Sequence, residues 1–313
     1  MHSWTQKITI ILAVSLLLTA CASATTSLPP TPTTSPIVLA DGLGREITLE
    51  QPAQRIASLA PSNIEILFAL GAGSQVVARD TFADYPEEAK ALADIGGGFG
   101  EINTELLLSL KPDLVLAAEI NSPDNVQMLE DMGFKVFYIS NPKDLEGMYE
   151  NLRLVAQLVG REAEAGSLIQ SLSQRVEAID AKVASVTDRP LVFYELDATD
   201  PNAPWTSGPG TFIDLLITKA GGRNLGSVLP DPWVQLSVEA IITQNPDIIL
   251  LGDYTLGGIK PEDVMARPGW ESIAAVQNQK VFPFDDNLVS RPGPRLVDGY
   301  EALAKLLHPE LFQ

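Results

Sequence analysis

Ser237-Val238-Glu239-Ala240-Ile241-Ile242-Thr243-Gln244-Asn245-Pro246-Asp247-Ile248-Ile249-Leu250 repeats the plan of Asn103-Thr104-Glu105-Leu106-Leu107-Leu108-Ser109-Leu110-Lys111-Pro112-Asp113-Leu114-Val115-Leu116, 134 residues earlier. In both copies a residue suited to a helix N-cap stands two places before a glutamate, and a proline follows that glutamate by seven positions. Asn103 and Ser237 can accept from the free N–H groups of a first turn, and the glutamates face its positive end. Pro-Asp stops the helix. The apolar, β-rich run that follows suits a parallel strand covered on both faces. A helix, a turn and a buried strand occurring twice at this separation predict two similar α/β lobes.

The rest of each lobe fits that plan. Arg55-Ile56-Ala57-Ser58-Leu59-Ala60 reads as a strand running into Pro61, followed by a capping box of Ser62 with Glu65 and a helix that ends near Gly71 and Gly73. In the second half Leu191-Val192-Phe193-Tyr194 reads as a strand, and a helix from about Thr211 to Ala220 is stopped by Gly221-Gly222. Strands alternating with helices imply parallel sheets. Between the lobes, Leu152, Val155, Leu158 and Val159, then Leu168, Leu172, Val176 and Ile179, recur at helical spacing. Residues 143–186 are therefore expected to be a long connecting helix with room for one break, Gly160 and Gly166 only weakening its middle. The lobes are expected at 37–142 and 187–313.

Residues 1–20 have the form of a signal peptide. Lys7 supplies positive charge, and Ile8 to Ala20 is an apolar run too short to span a bilayer. The run ends in Leu18-Thr19-Ala20-Cys21, which resembles the lipobox of bacterial lipoproteins, so Cys21 is expected to carry lipid. Cys21 is the only cysteine, and no disulfide can form within the chain. Residues 21–36 continue with small polar residues and proline, a disordered tether that reaches roughly 50 Å when extended. The expected location is the outer face of the cytoplasmic membrane.

About 277 residues remain beyond the tether, with 45% hydrophobic residues and 19% charged in the whole chain, as a folded two-lobe body requires. The formal net charge of -19 argues against nucleic acid as a partner. The two histidines are His2, in the signal segment, and His308. One histidine and no free cysteine leave no usual zinc or manganese site and no familiar Ser-His-Asp nucleophile. Gly96-Gly97-Gly98-Phe99-Gly100 lacks the spacing of a dinucleotide or phosphate loop. Catalysis, a resident metal and a cofactor are all unexpected on this composition.

Residues 55–71, together with Lys111-Pro112-Asp113-Leu114-Val115, Ala220-Gly221-Gly222-Arg223-Asn224 and Arg291-Pro292-Gly293-Pro294-Arg295, are similar to the iron-complex and vitamin B12 class of ABC-importer binding proteins. The resemblance covers about residues 37–310. It implies two parallel-sheet α/β lobes joined by a single long helix, a ligand cleft between them, and partnership as a monomer with a permease and its ATPase. It also implies that Glu105 and Glu239 dock onto permease arginines. The plainer view makes them helix N-terminal charges only, and the two roles are compatible.

For the ligand, the resemblance implies cleft aromatics at Phe82, Tyr85, Phe99, Trp205 and Trp233, and a polar cleft contact at Arg291. A corrin is a broad, rigid, largely apolar plate fringed with amides, and aromatic side chains cover such a plate at small entropic cost. Ala118 departs from the tryptophan of the B12 binders, and Asn287 departs from a carboxylate. A corrinoid such as cobalamin is the favoured ligand, with a ferric siderophore or haem as the alternative. A siderophore would call on Arg79, Arg223, Arg267 and Arg291, and haem would call on Tyr85 as axial ligand. A surface sensor or a hydrolase using His308 with Ser207 or Ser290 is the competing class.

Overall fold

Apolar residues that alternate between two cores build the sheets. The computed structural model describes residues 35–98 and 100–313, so the signal segment, Cys21, the tether up to residue 34 and Phe99 lie outside it. The N-terminal lobe opens with a hairpin that the sequence pattern did not reveal, β1 (Ile37–Ala40) antiparallel to β2 (Glu46–Leu49). Its main sheet is formed by β3 (Ile56–Ser58), β4 (Val76–Arg79), β5 (Ala93–Asp94), β6 (Leu114–Ala118) and β7 (Val136–Ile139), all parallel, in the order β5-β4-β3-β6-β7. Helices α1 (Pro61–Ala69), α2 (Thr104–Leu110) and α3 (Pro123–Asp131) connect these strands.

Two helices follow, α4 (Leu145–Val159) and α5 (Glu162–Val183). The break falls at Gly160, which ends α4 in the left-handed conformation at φ 69°. The connection is thus a packed helix pair rather than one unbroken rod. An α4 carbonyl, that of Leu158, accepts from Ala53 N at 2.8 Å, which ties α4 to the N-terminal lobe. Asp180 on α5 bonds Lys219 and Tyr300 of the other lobe, each at 2.6 Å.

The C-terminal lobe repeats the scheme with β8 (Leu191–Glu195), β9 (Trp205–Ser207), β10 (Arg223–Asn224), β11 (Trp233–Gln235), β12 (Ile248–Leu251) and β13 (Val281–Pro283). Its parallel sheet has the order β10-β8-β12-β13, and β9 pairs antiparallel with β11 in a separate ribbon. Helices α6 (Phe212–Lys219) and α7 (Val238–Gln244) lie in this lobe, as does a helix Leu296–Leu307 that is followed by a 3-10 turn at Pro309–Phe312.

Strand residues alternate as period-two geometry demands. Leu114 and Leu116 of β6 join one large apolar cluster, while Val115 and Ala117 join a second. Val192 and Tyr194 of β8 share that large cluster, and Phe193 faces a third. The large cluster runs from Ile64 and Leu67 through Met148, Leu152, Leu172 and Ile179 to Leu216 and Leu303. The lobes therefore share a core across α4 and α5, and full burial of each large aliphatic side chain contributes roughly 1.5–3 kcal/mol.

The echoed segments are alike in detail. Asn103 Oδ1 accepts from Leu106 N, and Ser237 Oγ accepts from Ala240 N, at 3.0 and 3.2 Å. Lys111 and Asn245 then turn the chain with φ 50° in both copies. The Pro-Asp carboxylate next fixes the neighbouring strand: Asp113 accepts from Arg55 N at 2.9 Å, and Asp247 accepts from Leu191 N at 2.7 Å. One expectation fails. Ser62 and Glu65 form no capping box, because α1 begins at Pro61 with Ala60 as its cap and Glu65 is turned into a buried ion-pair cluster instead.

Candidate functional site: the cleft at the carboxyl ends of the two sheets

Open parallel α/β sheets offer ligand sites beyond the carboxyl ends of their strands, where loops can vary without disturbing the core. The predicted cleft residues fall at those ends. Phe82 and Tyr85 follow β4, the ribbon bearing Trp205 and Trp233 follows β8, and Arg291 follows β13. Phe99 follows β5 in sequence but lies outside the described residues.

The two edges meet. Arg291 Nη1 lies 2.7 Å from Asp84 Oδ1, and Arg291 Nη2 donates to the Phe82 carbonyl at 3.2 Å. The Arg295 guanidinium lies 4.1 Å from the centre of the Tyr85 ring, a cation–π contact. Arg291 thus reaches across from the C-terminal lobe, and its guanidinium is taken up by the other lobe.

The ribbon aims its indoles by register. Trp205 pairs with Gln235 and Trp233 with Ser207, so both tryptophans project from the same face. Diagonal neighbours of this kind stand about 7–8 Å apart, a spacing that aromatic rings can bridge. The opposite face is sealed to the sheet, where Thr206 Oγ1 donates to the Tyr194 carbonyl at 2.7 Å.

Exposure shows that these rings do not fill the core. The exposed aromatic side chains among the described residues are Phe82, Tyr85, Trp205, Trp233 and Tyr254, at 39–48%. Four of the five are predicted cleft residues. Tyr254, with Leu256 beside it at 81%, follows β12 at the same edge, and Val228, at 78%, follows β10. Ile120 follows β6 on the opposite lobe. Tyr254, Leu256, Val228 and Ile120 were missed because nothing in a short loop's composition separates an exposed apolar residue from a buried one. Their position after buried strands was the available signal.

The Phe82–Tyr85 loop is shaped by Asp80 and by a glycine turn. Asp80 Oδ1 accepts from Phe82 N at 2.9 Å. Gly98, at φ 63°, passes so close to the Phe82 ring that a Cβ there would meet Cδ2 at 2.8 Å. Ala118, the departure from tryptophan, is buried at the end of β6, and Asn287 turns its amide to Asp285 at 3.0 Å.

Cationic groups near this edge are already engaged. Arg79 pairs with Asp94 at 3.5 Å and donates to the Asp80 carbonyl at 2.7 Å. Arg267 forms a two-point pair with the fully buried Glu195, one contact being Nη2 to Oε1 at 2.8 Å. Arg223 is not at this edge: it pairs with Leu191 at the start of β8 and donates to the Arg189 carbonyl at 3.0 Å. His308 is buried away from Ser207 and Ser290, with Nε2 3.2 Å from the Gly221 carbonyl.

Two buried carboxylates underlie the cleft loops. Burial pushes Asp80 up to about 6, against the pull of a hydrogen bond from Phe82 N and of nearby Arg291 and Arg79. Burial, with the charge of Glu195 added, also pushes Asp253 up to about 6. A carboxylate that holds its proton more tightly when folded contributes stability below its unfolded value. That contribution is lost as pH rises through the folded value. Thermal unfolding is therefore expected at a higher temperature at pH 5.5 than at pH 7.5, with at most about 1 kcal/mol of difference from each group, most of the loss falling below pH 5.5. Asp80→Asn should flatten the profile, and a melting temperature that climbs from pH 5.5 to 7.5 would contradict the assignment.

Glu105 and Glu239 sit elsewhere, one each in the first turns of α2 and α7. Both are exposed, and neither has an ion-pair partner among the described residues.

Residues 56–288 match the family described as periplasmic binding protein. The chain belongs to that family. It is 34% identical over 283 residues to the uncharacterized ABC transporter substrate-binding lipoprotein YvrC of Bacillus subtilis, covering 89% of this chain and 87% of that one. Among solved structures, it resembles the periplasmic vitamin B12 binding protein BtuF of Vibrio cholerae, with TM-score 0.71 and 26% identity, over 84% of this chain and 99% of that chain. It also resembles the periplasmic heme-binding protein RhuT of Roseiflexus sp. RS-1, with TM-score 0.74 and 27% identity, over 83% and 99%. The protein is an extracytoplasmic solute-binding component of an ABC importer, in a family of transport proteins whose partners are a permease and its ATPase. Two lobes of parallel-sheet α/β structure are the fold of these relatives too.

Proposed function

We propose that this periplasmic binding protein captures a corrinoid, cobalamin or its precursor cobinamide, between its lobes and delivers it to its permease. The observation that carries the choice of ligand is the combination of exposed aromatic rings on both lobes with cleft-edge arginines already paired to carboxylates. Aromatic walls suit an apolar plate. A ferric siderophore or a haem propionate presents anionic oxygens that need free guanidinium or ammonium groups. Arg79, Arg267 and Arg291 each have carboxylate partners within the protein, and releasing Arg267 or Arg291 would strand the buried charge of Glu195 or Glu65. A corrin fringed with amides makes no such demand. In this reading Phe82, Tyr85, Phe99, Trp205 and Trp233 cover the plate, with Tyr254 and Leu256 as an added lip.

Delivery follows from the outer faces. Glu105 and Glu239, one per lobe on matched helices, would meet cationic residues of the permease and fix its register. Lipid on Cys21 and the tether of residues 21–36 would keep a monomeric receptor close to that permease and raise its local concentration.

Dicyanocobinamide mixed with the purified protein and passed through a desalting column should remain with the protein as a coloured complex. Haemin or a ferric hydroxamate retained in its place would move the reading to the alternative ligand. Retention of none of the three would remove the ligand assignment while leaving the family intact.

A further inference from the structure

Arg291 and Arg295, at the two ends of Arg291-Pro292-Gly293-Pro294-Arg295 in the C-terminal lobe, reach the same oxygen of the N-terminal lobe. Their Nη1 atoms lie 3.1 and 3.2 Å from Glu65 Oε1. The Glu65 side chain is 1% exposed, and those of Arg291 and Arg295 are 11% and 15% exposed. Arg291 continues to Asp84 and the Phe82 carbonyl, and Arg295 continues to the Tyr85 ring and to Asp285 at 3.6 Å. The segment is anchored on its own side, since Tyr194 of β8 donates to Asp286 Oδ1 at 2.7 Å and Ser290 Oγ donates to the Asp286 carbonyl at 2.8 Å. Pro292 and Pro294 fix φ between the two guanidinium groups and so their separation. Gly293 brings the backbone within ordinary contact of α1, where a Cβ would lie 3.6 Å from the Ser62 carbonyl oxygen.

This arrangement joins the C-terminal core to the loop that carries two of the aromatic rings. A buried pair of this kind adds little net stability over an apolar substitute. What it does supply is geometry. We propose that Glu65, Arg291 and Arg295 form an inter-lobe strut that holds the Phe82–Tyr85 loop at a fixed separation from the C-terminal lobe, so that the aromatic walls are set before ligand arrives. Arg291 is then a positioning residue rather than a ligand contact. Binding to pre-set walls avoids the ordering cost of a moving loop and keeps association fast. The role assigned to the strut rests on the cleft being the ligand site, but its existence does not.

The test uses the full-length protein in detergent and two readouts, amide hydrogen exchange and stopped-flow binding of dicyanocobinamide. Glu65→Gln is expected to speed exchange in residues 80–86 and 285–295 by about tenfold, with α3 unchanged, since a local opening is made easier. The association rate should fall by about tenfold and the dissociation rate by less than threefold either way, because the loss lies in preorganisation. Arg291→Lys keeps the charge but cannot bridge Glu65, Asp84 and the Phe82 carbonyl together, and should resemble Glu65→Gln. Unchanged exchange in residues 80–86 overturns the proposal. So does a faster dissociation with normal exchange, which makes Arg291 a direct contact. If Glu65→Gln fails to fold, Arg295→Gln leaves the Arg291–Glu65 pair in place and should still speed exchange in the loop; no change there overturns the proposal equally. If the wild-type protein binds no corrinoid, the ligand reading fails and the exchange measurement still decides the strut.

Discussion

Replacing both Trp205 and Trp233 by alanine is expected to abolish measurable corrinoid binding while leaving the melting temperature within a few degrees of wild type. The indoles are 39% and 48% exposed and stand on one face of the β9–β11 ribbon, whose other face holds it to β8. Little of the folding energy depends on them. A corrin plate lying on the ribbon would cover roughly 100 Å² of each ring, which at about 25 cal/mol per Å² corresponds to about 2–3 kcal/mol per tryptophan. Each single substitution should then weaken binding about 30- to 100-fold. The double variant should lose at least 1,000-fold, with departures from additivity because the rings are neighbours. Titration calorimetry reads this directly. A double variant with wild-type affinity would place the ligand elsewhere on the protein.

Charge reversal at the two outer helices should separate transport from binding. In Glu105→Lys with Glu239→Lys, uptake of a labelled corrinoid by cells should fall to background, with ligand affinity of the purified protein unchanged. Both side chains are exposed, and their helices are capped by Asn103 and Ser237, which the substitutions leave alone. Adverse interaction with the helix dipoles costs roughly 0.3–1 kcal/mol per site, too little to unfold the lobes. If the glutamates dock onto permease arginines as proposed, the like charges would cost several kcal/mol at the interface. Reduced affinity in the purified variant would instead assign the glutamates to the cleft.

The two-lobe fold was legible because its evidence is local and periodic. A cap, a seven-residue helix, a left-handed stop and a Pro-Asp turn occur twice, and each step is set by a few adjacent residues. The helix over Phe212–Lys219 was legible for the same reason, bounded by Thr211 and the Gly221-Gly222 stop. The β1–β2 hairpin was not, because its strands of four residues are half-exposed and show no buried run. Glu65 misled because the Ser62-x-x-Glu65 spacing fits a capping box, and only the approach of a segment 226 residues away shows that the carboxylate has a different partner. Arg291 could be placed at the cleft by motif. Its engagement with Asp84 and Glu65 depends on the packing of one lobe against the other, which no local pattern encodes.

The most direct test is titration calorimetry of the wild-type protein with dicyanocobinamide and cyanocobalamin, run beside haemin and a ferric hydroxamate. The expected result is one site per chain for at least one corrinoid, with a dissociation constant at or below about 1 μM, equivalent to about -8 kcal/mol, and at least tenfold weaker binding of haemin and of the ferric hydroxamate. Tight binding of haemin or the ferric chelate, with no heat from either corrinoid, would contradict it.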